Sequence, residues 1–289
     1  MTPTAIAYNA DILGESASWC ARSKRLYWID GVSTVVRWHE PNTATFGQVA
    51  AVGVSAIGMI APSARDGYLA CAVNLGLGML DLASGQVTIA CNPEGARGGI
   101  GWNDGKVDPI GRLWVGTHDI AETAPRGALW MLDGWDRVQL IETGVALWNG
   151  PAFSPTGDIL YVSDSIGRTI LAYDVQSSAP WLANARVFVT LTDGDGLPDG
   201  LTVDAEGNVW CAHWAGAKVS QYAPSSERLR TIALPATNVT SVAFGDDDLG
   251  TLYVTTARYG LDQPGASDGA LYAVRPGVTG IAATPLAFP

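Results

Sequence analysis

Four positions combine suggestive residue types with a matching spacing. Glu15 stands 12 residues before Tyr27, and Asp104, with Asn103 beside it, stands 10 before Trp114. Asn149 stands 12 before Tyr161, and Asp199 stands 11 before Trp210. Taken singly, Asp104, Asn149 and Asp199 are ordinary turn signals, because a glycine follows each. Taken together they offer only oxygen: carboxylates and amide carbonyls. Like charges gathered at one place repel unless a cation sits among them. Ca²⁺ or Mg²⁺ suits such a set, and Zn²⁺ or Mn²⁺ also binds it. The chemistry expected of a cation held this way is Lewis-acid chemistry.

What must position them is a repeat. "SKRLYWID" recurs in altered form as "RDGYLACAV", "IGRLWVGT", "DILYVSD", "EGNVWCAHW" and "LGTLYVTT", at intervals of 42–49 residues. A strand-like run precedes each copy ("GESASWC", "AIGMIAPS", "NDGKVDP", "NGPAFSP", "DGLTVDA", "TSVAFGD") and another follows it. Shorter apolar runs such as "RVFVTL" and "RTIAL" supply an outer strand. Four strands per unit at a period in the forties is the mark of a propeller blade. The expectation is an all-β, six-bladed β-propeller of four-stranded antiparallel blades around a central channel. It would be a single domain over residues 1–289, with the strand-like ends "TAIAYNA" and "GIAATPLAF" closing the ring. The first strand of each blade lines the channel, so Glu15, Asn103/Asp104, Asn149 and Asp199 would meet at one mouth.

Composition agrees and excludes some partners. Hydrophobic residues make up 47% and charged residues 16% of 289, enough for a large core. A net charge of −11 argues against nucleic acid or an anionic membrane. No run approaches the ~20 apolar residues of a spanning helix, and the N-terminus lacks the basic and apolar regions of a signal peptide. Cys20, Cys71, Cys91 and Cys211 lack a CxxC spacing and read as free thiols of a reducing compartment. The expected setting is the cytoplasm, as a monomer or weak oligomer.

The motifs "LGESASWCARSKRLYWID", "NDGKVDPIGRLWVGT", "NGPAFSPTGDILYVSD", "PDGLTVDAEGNVWCAHWAGAKV" and "TSVAFGDDDLGTLYVTTARYGL" resemble, in order, those of the SMP-30/gluconolactonase family. The resemblance implies a six-bladed propeller with one divalent cation in its channel, Ca²⁺ or Zn²⁺ foremost. It implies hydrolysis of a sugar lactone to an aldonic acid. It places the metal on Glu15, Asn149 and Asp199, and substrate binding on Asn103, with Asp104 beside it, and Glu122. One departure stands out: the family commonly has Arg two residues before that asparagine, and here the position is Gly101. Gly101 is therefore expected to open space for a bulkier substrate, with Arg97, Lys106, His118 or Arg258 as substitute donors.

In the expected reaction Asp199 is the general base toward an attacking water. No G-x-S-x-G elbow is present. His118 and Trp148 are further candidates for lining the substrate pocket, as are Trp102 and, less so, His213. His39 reads as a surface histidine of an outer strand, and Trp28, Trp114, Trp130 and Trp210 read as packing residues. The competing readings are a non-catalytic metal-binding or protein-interaction propeller, and a propeller hydrolase acting on a non-sugar lactone or phosphoester.

Overall fold

The computed structural model describes residues 2–95 and 97–288; Met1, Ala96 and Pro289 lie outside them. It is a six-bladed β-propeller of four-stranded antiparallel sheets. The inner strands of blades one to six are Gly14–Cys20, Ile57–Pro62, Ile100–Val107, Trp148–Phe153, Leu197–Val203 and Asn238–Gly245. Within each blade the remaining strands follow outward in chain order, except in blade six. There the outermost strand is Thr4–Ala7, which pairs with Leu271–Val274 and closes the ring.

The alternation of apolar residues explains the packing. A blade is apolar on both faces and must bury each against a neighbour. Six separate apolar clusters result, one at each blade boundary. For example, Trp114, Trp148, Leu160 and Val162 pack blade three on blade four, and Trp19, Trp28 and Tyr253 pack blade one on blade six. Trp28, Trp114 and Trp210 are fully enclosed, and Trp130 is half-buried. In two blades an aspartate at the end of the inner strand latches its tryptophan. Asp108 accepts from Nε1 of Trp114 at 3.0 Å, and Asp204 from Nε1 of Trp210 at 2.9 Å. Each also accepts backbone N–H groups of the turn between the strands, so one carboxylate closes the turn and satisfies an indole buried in the core.

Two sequence expectations fail here. His39 is not a surface residue: it is 7% exposed on the third strand of blade one, because Phe46 opposite it on the outer strand stacks on the imidazole at 4.2 Å. The C-terminal segment does not form a strand of a blade. It runs as a strap across the mouth where the inner strands end. Its backbone is tied to Asp204, Ala205 and Leu249 at one side and to Pro62, Ser63 and Gly111 at the other. Leu286 is fully buried at the second anchor. Between the strap and the inner strands lies a cavity of about 130 Å³, lined in part by Trp19, Lys106, Phe153 and Ala283. The four cysteines are free, and no helix among the described residues is long and apolar enough to cross a membrane.

Candidate metal centre and substrate site

Every inner strand carries a bulge at the same height. The pairing shifts between Glu15 and Ser18, Ile57 and Met59, Trp102 and Gly105, Asn149 and Ala152, Pro198 and Leu201, and Val239 and Val242. A bulge re-aims a side chain that a regular strand would point into a blade face. The Asp-Gly and Asn-Gly pairs at these places are therefore bulges inside strands rather than turns. Gly150 is left-handed at φ +50, and a Cβ there would lie 2.6 Å from the Asp199 carbonyl oxygen. A Cβ on Gly200 would lie 2.8 Å from the Thr240 carbonyl oxygen. These glycines let neighbouring inner strands approach backbone to backbone.

Side chains then tie the ring together. Ser163 Oγ donates to the Asp199 carbonyl and Ser165 Oγ to the Pro198 carbonyl, at 2.8 and 2.7 Å. Ser16 Oγ accepts from Ile60 N, and Thr240 Oγ1 donates to the Gly14 carbonyl. None of these hydroxyls stood out in the sequence. Serine in a strand carries no special signal, and the only hint was their position next to, or one blade from, a site residue.

Glu15, Asp104, Asn149 and Asp199 gather at the mouth where the inner strands begin. Asp104, Asn149 and Asp199 are buried and Glu15 is partly so. Their electrostatics interlock. Desolvation, with the charge of Asp104 added, pushes Glu15 up to about 8. Desolvation and the charges of Glu15 and Asp104 raise Asp199 well above the ordinary carboxylate range, with Glu122 contributing. Glu122, on the exposed loop after Asp119 with φ +54, is thus close enough to act on Asp199. Lys106 is the cation that faces Asp104 and Glu15, and burial lowers its own pKa.

The acids differ in how they are satisfied. Asp104 accepts from the backbone N–H groups of Gly105 and Gly150, so it braces blades three and four rather than facing a ligand. Asp199 Oδ1 is buried with no hydrogen-bond partner. Asn149 donates to Ser165 Oγ and accepts at Oδ1 from Asn103 Nδ2, 2.8 Å away. Asn103 also donates to the Trp148 carbonyl. Both its N–H groups are spent on orienting blade four, and its carbonyl oxygen is left for a ligand. Among the described residues no three Asp, Glu, His or Cys side chains form a ready-made cation cluster, and the amide oxygen of Asn149 is a further oxygen beside the acids.

An orphaned buried carboxylate oxygen, flanked by a second acid and an amide, has the chemistry of a hard-cation site. The cost of burying those acids together is what a divalent cation would offset.

The remaining candidates separate. Trp148 is 1% exposed and Trp102 8%, both inside boundary clusters, so neither ring walls a pocket; only the Trp148 carbonyl reaches the site. Their apolar faces are claimed by the neighbouring blade. His213 is fully buried, with Nδ1 2.8 Å from the Asp195 carbonyl oxygen, and burial holds it down at about 4. Arg97 is committed to Glu94 and to the Arg126 carbonyl. Arg258 sits at the rim of blade six with Nε buried and unpartnered. Gly101 does not open space: a Cβ there would lie 2.2 Å from Nε2 of His118, whose ring fills that place.

The chain is similar to known proteins over most of its length. The family model of the SMP-30/gluconolactonase/LRE-like region matches residues 13–258. A pentonolactonase of Haloferax volcanii is 34% identical over 260 residues, which is 89% of this chain and 86% of the relative. An L-arabinolactonase of Azospirillum brasilense is 31% identical over 284 residues, covering 92% and 87%. The solved structure of a luciferin-regenerating enzyme superposes with a TM-score of 0.91 at 30% identity, covering 99% of both chains.

Proposed function

The chain belongs to the SMP-30/gluconolactonase/LRE-like family, and on that footing we propose that it is a metal-dependent hydrolase that opens a sugar lactone to its aldonic acid. The observation that carries the metal-dependent part is the unpartnered Oδ1 of Asp199 beside Glu15 and Asn149. These three residues would hold one divalent cation, Ca²⁺ or Zn²⁺ first. When bound, such a cation supplies Lewis-acid polarisation of the lactone carbonyl.

The chain's own residues do the rest. The Asp199 carboxylate, through the oxygen not given to the cation, accepts a proton from the attacking water, whose oxygen bonds to the carbonyl carbon. The ring C–O bond then breaks, and the proton returns to the leaving ring oxygen. Asn103 fixes the plane of the Asn149 amide, and its free carbonyl oxygen meets a substrate hydroxyl. Glu122, on the loop after Asp119, adds negative charge near Asp199. Aldonolactones hydrolyse slowly unaided, so the catalysis required is modest. The substrate would enter from the Glu15 mouth, opposite the strap.

The test is acid release from a panel of pentono- and hexonolactones by chelated protein. The same panel is then run with added Ca²⁺, Mg²⁺, Mn²⁺ or Zn²⁺, and with Asp199→Ala. Turnover that needs a cation and disappears in Asp199→Ala is the expected result. No lactone opened above background with any cation would overturn the proposal.

A further inference from the structure

Gly101 and His118 stand directly opposite each other on the inner and second strands of blade three. Directly opposed residues of antiparallel strands share a face, and residues two apart on one strand share it too. Gly101 and His118 therefore lie on one face, opposite Trp102, which points into the core, and Asn103, in the bulge that follows, is turned toward blade four by its bonds to Trp148 and Asn149. Because residue 101 has no side chain, the imidazole of His118 reaches inward across the first strand. Its far nitrogen, Nε2, occupies the place of a 101 side chain, and Cδ2 lies 2.7 Å from where the Cβ would be. The ring of a second-strand residue thus lies over the inner strand, in the gap left by the missing side chain.

The imidazole's hydrogen bonding is unspent. Nδ1 is buried and has no partner. The ring is only partly exposed, and burial lowers its pKa against the opposing charge of Asp119. At neutral pH Nε2, the ring nitrogen that is not buried, either donates or accepts without carrying charge. A neutral group of that kind matches a hydroxyl, which both donates and accepts, better than it matches an anion. The step from Gly101 to Asn103 along the strand is about 6.6 Å, comparable to the span of a hydroxylated lactone ring.

Resting on the lactonase reading above, we propose that His118, admitted by Gly101, is a specificity-determining residue that binds a ring or side-chain hydroxyl of the lactone and rejects analogues lacking it. A site that hydrogen-bonds a substrate hydroxyl discriminates strongly against its absence, because its own polar groups are then left unpaired.

The experiment measures kcat and KM for hydroxylated aldonolactones and their deoxy counterparts. The proteins are the cation-loaded wild type, His118→Ala, His118→Gln, Gly101→Ala and Gly101→Ala/His118→Ala. In His118→Ala, KM for the hydroxylated lactone should rise about tenfold or more with kcat little changed, and the preference over the deoxy analogue should collapse. His118→Gln, which keeps a donor and an acceptor, should recover part of it. Gly101→Ala should push the ring aside and mimic His118→Ala, and the double variant should be no worse than His118→Ala alone. Wild-type turnover with an unchanged preference in His118→Ala overturns this proposal and leaves the lactonase reading standing. Absence of wild-type turnover overturns both.

Discussion

Asn103 of blade three donates a 2.8 Å hydrogen bond to Oδ1 of Asn149 in blade four, the oxygen proposed to face the cation. The bond crosses a blade boundary, so the ligand set depends on how two sheets are docked. Asn103→Ala should weaken cation affinity by about 10–100-fold, as loss of a group that orients a ligand does. Calorimetric titration of the chelated protein checks this. Unchanged affinity would mean that Asn149 is held by Ser165 alone.

Asp199→Asn should separate activity from stability. Turnover should fall by about 10²–10⁴ with loss of the proton acceptor. Melting of the chelated protein should move upward, because a carboxyl raised by burial and by Glu15 and Asp104 is replaced by a neutral amide. A lower melting temperature would show that the ionised Asp199 supports the fold.

The chelated protein should lose stability as pH rises. Glu15 is pushed up to about 8 in the fold from an ordinary value of 4.5, so the folded chain holds its proton more tightly than the unfolded chain. The stability this contributes is fully present below about pH 4.5 and is lost as pH climbs through about 8. Asp199 and Asp104 shift in the same direction. Melting temperatures across pH 5–9 should therefore fall for chelated wild type, and fall less for Glu15→Gln or with the cation added. A flat profile for the chelated wild type would count against this electrostatic picture.

Gly150→Ala should cost about 1–3 kcal/mol, since it puts a side chain at φ +50 and 2.6 Å from the Asp199 carbonyl oxygen. Cation affinity should drop with it, because relief of the contact separates blades four and five. Denaturant unfolding and metal titration of the same sample read both.

Leu286→Ala should cost about 2–5 kcal/mol although it lies far from the acids, because Leu286 is fully enclosed where the strap meets blades two and three. Denaturant unfolding gives the value. A change below about 0.5 kcal/mol would mean that the strap is not anchored there.

The propeller was legible because its signal is repeated. Each second strand is an apolar run around an aromatic or leucine, and six weak signals at one spacing reinforce one another. That Glu15, Asp104, Asn149 and Asp199 share a height on the inner strands of four of the six blades was legible for the same reason. The bulges were not. Asn149-Gly150 needs a left-handed glycine whether it forms a turn or a bulge, and only the burial of Trp148 and the pairing of Ala152 with Tyr161 decide between them. Trp148 and His39 were misplaced because a strand pattern does not say which neighbour covers a face. The filling of the Gly101 position was invisible for a related reason: the occupant, His118, comes from another strand.

The pairing of Thr4–Ala7 with Leu271–Val274 has a consequence for biosynthesis. Thr4 sits opposite Ala273, so Thr4–Ala7 leaves the ribosome well before its partner strand and has none until Leu271–Val274 has been made. Earlier blades can form as they emerge, each hairpin being local, but the circle stays open with an unpaired edge throughout. The last blade is the one at which translation and assembly must coincide. A pause or truncation before Leu271 would therefore expose that edge to aggregation, whereas damage to an interior blade would act through the equilibrium stability of the finished ring.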